Sequence, residues 1–382
     1  MTPTSAGEHL AASSDRRTRW WRSRWFQAAG SLAVVALIFG FFFPKVADYG
    51  EVWKTIKAMT FIEVATLTAL ALWNLASYWP MLTAVQPGLR WREAAVSNLA
   101  STAVANTLPG GGAIGVAATM TMQRSWGIPV AQTTLATVVS GVWNNFVKLG
   151  LPVVALALLA LSGDAGTARM AAALIGLAVL AAAIALFGAL LRSERMAGRV
   201  GAAAGRVASG FRRLLRRGPV EHWDERAIAF RAEIVELLER RWLLITVTAL
   251  VSHLSLYAVL LIALRHVGVS NDEVSWQAVL AAFAFVRLLS AVPITPGGLG
   301  LVELGLTATM GSGLPDGTKN QIAAAVLLYR ALTWLLPIPL GVACWLFWRA
   351  NTSWRRSIED RRGSRRLEDE PTGEVRPADA LP

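Results

Sequence analysis

Four ionisable side chains interrupt otherwise apolar segments of this sequence: Lys148, Arg287, Glu303 and Arg330. Charged groups inside a membrane segment are costly, and they mark substrate pathways or internal ion pairs. Three cations with one carboxylate indicate a polar cavity that binds an anion, for which phosphate is the natural candidate. The alternative is that Glu303 forms a purely structural ion pair with Arg287 or Arg330.

Two proline-glycine breaks lie near these charges in the sequence. A proline followed by several glycines cannot continue a helix, and glycine allows the backbone to approach a ligand closely. The helix that follows each break would also present free N–H groups to an anion. We therefore add the residues of both breaks to the candidate substrate site: Pro109, Gly110, Gly111, Gly112, Pro296, Gly297 and Gly298.

The elements that would position these residues are membrane-spanning helices. The chain has 382 residues, of which 54% are hydrophobic and 16% are charged, whereas charged residues make up roughly a quarter of a soluble domain. The apolar residues fall in blocks of about 20, the length that crosses the hydrocarbon core as a helix. Six blocks predict spans: Phe26–Pro44, Phe61–Val85, Val130–Leu161, Ala168–Leu191, Trp242–His266 and Ile322–Trp348.

The predicted fold class is therefore an all-α, polytopic membrane bundle of six spans and two broken helix pairs. The proline-glycine breaks divide Glu93–Arg124 and Val274–Gly311 into two short helices each. Unwound backbone survives at membrane depth only inside protein or beside a wet cavity. Each pair is either re-entrant or fully spanning, and the sequence leaves both open.

The placement of arginine predicts the orientation, because cytoplasmic loops are enriched in basic residues. The tails 1–25 and 349–382 carry arginine clusters, and segment 192–241 contains 12 arginines. All three are predicted to lie in the cytoplasm, beside a plasma-membrane domain at 26–348. We expect segment 192–241 to be partly helical with Asp224 as a cap, either on the inner leaflet or as a solvated connector. The acidic end of the second tail is expected to be partly disordered.

The two broken segments have similar surroundings, which predicts an internal repeat. Each is preceded by a full span and followed by a Thr/Met cluster, a short loop and a long span that carries polar residues. Under the predicted orientation, the first unit starts outside the cell and the second starts inside. This pattern is the signature of an inverted-topology repeat, in which the substrate site lies where the broken segments meet.

Other functional classes lack their sequence signatures. The net charge of +12 is not accompanied by the basic, aromatic-lined face of a nucleic-acid-binding domain. No nucleotide loop, nucleophile elbow or metal-ligand cluster is recognisable, so we expect no cofactor and favour a non-enzymatic role. Asn144, Asn145 and His253 are interpreted as hydrogen-bonding residues of the helix bundle.

Both breaks also resemble a known family. Asn106-Thr107-Leu108-Pro109-Gly110-Gly111-Gly112 and Val292-Pro293-Ile294-Thr295-Pro296-Gly297-Gly298-Leu299-Gly300-Leu301-Val302-Glu303 resemble the transmembrane region of the lysylphosphatidylglycerol synthase family, or flippase-like domain proteins. The resemblance covers about Phe26–Trp348. It implies movement of lipids, such as aminoacylated phosphatidylglycerol, between leaflets. Some family members carry a soluble aminoacyl-transferase domain after the membrane part. The sequence continues for only about 34 residues after Trp348, so we expect no such domain here.

The working hypothesis is a flippase that moves a phospholipid or a lipid-linked intermediate between leaflets. Its partners would be membrane lipids with an anionic or phosphate-bearing head group, bound by Arg287, Arg330 or Lys148. Two alternatives stay open: a membrane enzyme that uses Glu303 as a base on a lipid-linked substrate, and a non-catalytic partner of a cell-envelope synthase. The sequence names neither the lipid nor the oligomeric state.

Overall fold

The computed structural model describes residues 48–108, 110–161, 167–214, 222–290 and 295–361. Every regular element within these ranges is helical, which confirms the predicted all-α class. Several sequence predictions lie outside the described residues: the first span Phe26–Pro44, the tail 1–25, Pro109, and positions 362–382.

The helices form two units joined by a connecting pair. The first unit contains α1 (Tyr49–Lys57), α2 (Phe61–Ser77), α3 (Trp79–Val85), α4 (Trp91–Thr107), α5 (Gly111–Ser125) and α6 (Val130–Leu161). The connecting helices are α7 (Thr167–Arg192) and α8 (Glu194–Leu214). The second unit contains α9 (Trp223–His266), α10 (Trp276–Leu289), a 3-10 turn (Pro296–Gly298), α11 (Leu301–Gly311), α12 (Asp316–Arg330), a π-helical turn (Ala331–Leu335) and α13 (Pro337–Ala350).

Membrane-spanning segments recur at the predicted positions. Among the described residues, five helical segments are long and apolar enough to cross a membrane: Phe61–Val85, Val130–Leu161, Met170–Arg192, Trp223–His266 and Asp316–Ala350. Each coincides with, or contains most of, one of the predicted blocks. The chain is thus built as a multi-pass membrane protein, with short hairpins between its spans.

Helix α9 extends well beyond the span predicted for it. Its 44 residues correspond to a length of about 66 Å at 1.5 Å per residue, roughly twice the hydrocarbon thickness. The predicted cap at Asp224 is wrong: the helix already begins at Trp223, after His222 in the left-handed conformation, and Asp224 lies in its first turn. Helix α8 packs against this extension, where Gly205 faces the side chain of Trp223.

One face of the bundle, the arginine-rich face, gathers residues 86–93, 123–133 and 348–361. The Gln86 amide donates to the Gln123 side chain at 2.8 Å, and Thr133 donates to the same oxygen at 2.7 Å. The Trp348 indole donates to Ser125 at 3.0 Å. The ends of α3, α5 and α13 therefore meet the start of α6 at this face.

The opposite face gathers the other helix ends. Thr66, near the start of α2, lies 2.9 Å from a ring nitrogen of His266, the last residue of α9. Thr318, in the first turn of α12, donates to the Glu273 carboxylate at 3.0 Å. Hydrogen bonds from the Ser270 N–H, which contributes most, and from the Thr318 hydroxyl lower the pKa of Glu273.

These two faces settle the path of both broken helix pairs. Helix α4 starts and α5 ends at the arginine-rich face, so the α4–α5 hairpin enters and leaves on that side. Helix α10 starts beside Glu273, and α11 ends at Gly311, which packs against Lys319 in the first turns of α12. The α10–α11 hairpin therefore enters and leaves on the opposite side. Each pair is therefore a helical hairpin whose two ends lie at the same face of the bundle.

The packing between the units is reciprocal, as expected for a repeat. The first hairpin helix, α4, packs on α13 of the second unit, and the second hairpin helix, α10, packs on α6 of the first. The entry spans α2 and α9 pack on each other. The α4–α13 crossing is close because Gly341 faces the carbonyl of Leu99 and the side chain of Ala103 without a side chain of its own.

A strap formed by residues 351–361 closes the arginine-rich face. Arg361 is buried and makes two bonds to Glu93, at 3.0 and 2.7 Å. The same guanidinium donates to the carbonyls of Trp126 at 2.8 Å and Gly88 at 2.7 Å. One side chain thus ties the strap to both ends of the α4–α5 hairpin.

Replacing Arg361 by alanine is expected to destabilise the protein by about 3 kcal/mol, because Glu93 would keep its charge in a buried site without its partner. Thermal unfolding of the detergent-purified protein measures the loss. Arg355→Ala is the matched control, since Arg355 is an exposed arginine of the same strap. Equal melting temperatures for the two variants would contradict this role of Arg361.

Candidate functional site

The two helix breaks lie against each other. The Asn106 side chain, at the end of α4, donates to the carbonyl of Trp334 at 3.0 Å. The indole of Trp334 in turn contacts Gly297, which adopts a left-handed conformation with φ 60°. Hairpins that enter from opposite faces therefore touch at their tips, as the predicted repeat requires.

A π-helical turn places Trp334 at this contact. The Leu336 N–H donates to the carbonyl of Ala331 at 2.8 Å, five residues earlier. Pro337 accounts for the irregularity, because it has no N–H and its ring crowds the carbonyl four residues before it. Such turns are frequent at functional sites, and this one turns the indole toward the break.

The candidate ion pair forms between Glu303 and Arg330. Arg330 donates from Nε to Glu303 at 2.7 Å and from Nη2 to the carbonyl of Gly297 at 2.9 Å. The second carboxylate oxygen of Glu303 accepts from the Gly300 N–H at 2.6 Å. Of the two partners predicted for Glu303, it is Arg330 that binds it. The pair holds the Pro296–Gly298 turn against α12.

The other two candidate cations, Lys148 and Arg287, form no ion pair with any described residue. The Nε of Arg287 is enclosed and has no hydrogen-bond partner among the described residues. Arg287 lies within electrostatic range of Lys148 and of the His253 ring. Lys148 and Arg287 are half-buried; a cation withdrawn from water without a carboxylate is costly, and a bound anion would reduce that cost.

Only one of the two ring nitrogens of His253 has a hydrogen-bond partner among the described residues. Its Nδ1 lies 3.0 Å from the carbonyl of Ala249, as expected for a hydrogen-bonded bundle histidine. Its Nε2 is enclosed and has no partner among the described residues. Asn144 donates to the Tyr78 hydroxyl at 2.9 Å, which agrees with its predicted role between helices, while Asn145 is exposed.

A cavity of about 310 Å³ lies between α3, the α4–α5 hairpin and α6. It extends from Gln86 and Gln123 at the arginine-rich face to Gly112 and Asn144. Lys148 follows Asn144 by one turn on the same face of α6. No charged side chain lines the cavity among the described residues. Its polar walls are hydroxyl and amide groups that include Ser97, Asn98, Ser101, Thr102, Thr119 and Thr137.

A second cavity, of about 540 Å³, adjoins the first at Gln86. Its walls come from the α5–α6 connection and from the α9 extension, which contributes Glu233, Glu236, Arg240 and Arg241. Two acidic and two basic side chains leave it close to neutral. It lies where a head group at the arginine-rich membrane surface would reach the polar cavity.

The glycines of the first break shape the hairpin tip. Gly110 precedes α5 in a left-handed conformation with φ 67°, and Gly111 packs directly on the backbone of Val104 and Ala105. A side chain at Gly111 would separate α4 from α5, whereas Gly112 lines the cavity and has open space beside it. In the second break, Gly298 is buried with φ 71°. Among the described residues, no three His, Cys, Asp or Glu side chains cluster as metal ligands would.

The family comparison agrees with this arrangement. Residues 28–341 match the family model described as "Lysylphosphatidylglycerol synthase TM region". The chain belongs to this family. The match covers the first unit, the connecting helices and the second unit as far as the start of α13, and therefore both hairpins. A comparison with curated protein sequences finds no match. The family places the protein in membrane-lipid biology.

The structure thus sorts the predicted site residues into three groups. Glu303, Arg330 and Gly297 meet at the second break, Lys148 and Arg287 lie within electrostatic range of each other, and Gly112 lines the neutral cavity. Sequence reasoning missed the hydroxyl-lined cavity, Trp334 and the strap. Pro337 could have indicated the irregular turn that contains Trp334, because a proline inside an apolar span often distorts the helix just before it.

Replacing Gly297 by alanine is expected to abolish the lipid exchange hypothesised from the sequence, because the new methyl group would collide with the Trp334 indole and the φ of 60° would be strained. Leaflet exchange in reconstituted vesicles measures the effect. Gly313→Ala is the matched control, because Gly313 has a φ of 78° but open space around it. This variant therefore measures the effect of backbone strain without a steric collision. Equal activities would exclude the contact with Trp334 as the cause.

Proposed function

We propose that this protein moves a phospholipid or a lipid-linked intermediate between the leaflets of the membrane. The observation that carries the proposal is the pair of hairpins, which start from opposite faces and touch at their tips. Two cations of the bundle, Lys148 and Arg287, have no ion-pair partner among the described residues. Broken helices that meet at mid-depth are the usual location of a transporter's substrate site. The polar cavity supplies a path to this point from the arginine-rich face.

The head group would enter through the outer cavity at Gln86 and move into the hydroxyl-lined cavity. Its phosphate would bind Arg287 and Lys148, which lack a carboxylate partner, while the acyl chains stay in the bilayer. Reciprocal packing of α4 on α13 and α10 on α6 supports rocking of one unit against the other. Access would then alternate between the two faces.

Purified protein reconstituted into vesicles tests the proposal. Fluorescent phospholipids placed in both leaflets are reduced from outside, and faster loss of the inner signal reports leaflet exchange. We expect exchange to exceed that of protein-free vesicles, and Gly297→Ala vesicles to match the protein-free rate. If no anionic or polyprenyl phospholipid moves faster with the protein, the proposal fails.

The enzymatic alternative finds less support in the geometry of Glu303. Both of its oxygens accept hydrogen bonds, and its residue is only 1% exposed, so it is poorly placed to take a proton from a substrate. Product formation by the purified protein would favour an enzyme. The other alternative, a partner of a cell-envelope synthase, predicts that Arg287 is dispensable and that the region around α8 is not.

A further inference from the structure

We infer that the transported lipid carries an uncharged, hydroxyl-rich head group on its phosphate, and not a cationic aminoacyl group. This inference rests on the proposed function. The observation behind it is the chemistry of the cavity walls: Ser97, Asn98, Ser101, Thr137 and Asn144 present hydroxyl and amide groups. The Ser97, Ser101 and Thr137 hydroxyls donate to backbone carbonyls of their own helices, which leaves their oxygens free to accept. Hydroxyl groups of a polyol or a sugar can donate to these oxygens.

A cationic head group would need a carboxylate, and the walls of the inner cavity offer none. No Asp or Glu lines this cavity among its described walls. The carboxylate at the second break, Glu303, is already bound by Arg330 and by the Gly300 N–H. Glu233 and Glu236 line only the outer cavity, where Glu236 lies 3.7 Å from Arg240. An ammonium group that moved inward would therefore leave water without gaining an ion pair.

The charged residues beyond the cavity also favour a head group without positive charge. Lys148 and Arg287 repel any cation that approaches them, and this repulsion grows as water is excluded. A phosphate with a neutral head group brings one negative charge to two cations. A lysylated phosphatidylglycerol brings two additional positive charges on its amino groups to the same place. The site thus favours the unmodified lipid on charge alone.

The inner cavity has room for a small polar head group. Its volume of about 310 Å³ corresponds to about ten water molecules at ~30 Å³ each, and it continues into the outer cavity at Gln86. The inferred substrate class is therefore a phospholipid with a glycerol or sugar head group.

Competition between two labelled lipids tests the inference in the same vesicles. We expect phosphatidylglycerol to exchange between leaflets at least tenfold faster than lysylated phosphatidylglycerol. Equal rates, or faster movement of the lysylated lipid, would overturn the inference and leave the flippase function intact. Movement of neither lipid, nor of a glycosylated phospholipid, would instead overturn the proposed function on which it rests.

A single substitution sharpens the test by adding the missing charge. Asn98→Asp changes an amide of the cavity wall into a carboxylate of nearly the same shape. We expect it to slow phosphatidylglycerol at least tenfold and to speed the lysylated lipid. The matched control is Asn351→Asp on the strap, whose Oδ1 accepts from the Ser353 N–H and hydroxyl and would still do so. Unchanged selectivity in the Asn98→Asp protein would contradict the inference.

Discussion

An Arg287→Gln protein is expected to lose about 100-fold in exchange of an anionic phospholipid, which corresponds to about 2.7 kcal/mol. Charge-assisted hydrogen bonds from arginine to phosphate are strong and often bidentate, and glutamine keeps the polarity without the charge. The same substitution is expected to leave the melting temperature unchanged or raise it. The reason is that it removes a cation whose Nε has no partner among the described residues.

Opposite effects on transport and stability distinguish a substrate-binding arginine from a structural one. Arg349→Gln is the matched control, since Arg349 is exposed at the end of α13 and contacts the Trp345 ring. Arg287→Lys should restore part of the activity, because a lysine keeps the charge but not the fork of donors. If Arg287→Gln exchanged lipid at the normal rate, phosphate binding by Arg287 would be refuted.

Arg330→Gln is the second substitution with a large expected effect, and here stability and transport should fall together. The side chain of Glu303 is 1% exposed and that of Arg330 is 11% exposed. Breaking such a buried pair from one side costs about 3–5 kcal/mol. The loss of the Arg330–Gly297 bond should also release the Pro296–Gly298 turn and stop exchange. Thermal unfolding and the vesicle assay measure the two effects.

The double variant Arg330→Gln with Glu303→Gln separates the two roles of this pair. Neutral partners replace a buried ion pair at little cost, so most of the lost stability should return. Transport should not return, because the turn at Gly297 still lacks the guanidinium that bridges it to α12. Recovery of both properties would show that Arg330 acts on stability alone.

The helical architecture was largely predictable from the sequence because it depends on local composition. The apolar blocks predicted the positions of the spans, and the proline-glycine breaks predicted the positions of the hairpin tips. Charge placement narrowed the site to four residues but did not choose between Arg287 and Arg330 as the partner of Glu303. Which arginine pairs with Glu303 depends on the π-helical turn and on the packing of α12. Neither feature can be predicted from a short sequence segment.

The features that sequence reasoning missed depend on long-range contacts. Arg361 reaches Glu93 across 268 positions, and neither residue stands out among many surface charges. Serine and threonine in membrane helices usually bond the carbonyl one turn back, as Thr137 does. Their number alone therefore does not reveal a cavity. Only the packing of the α4–α5 hairpin on α6 shows which of them face the same space.

The two units differ in charge although they pack reciprocally. Asn144 follows Pro109 at nearly the same separation as Arg330 follows Pro296, so a neutral amide on α6 corresponds to a guanidinium on α12. If the proposed flippase opens to the opposite face, the head group would lie beside the second unit, which holds Arg287. We therefore expect an anionic lipid to be retained longer in that state, which would make release on that side the slow step of the proposed cycle.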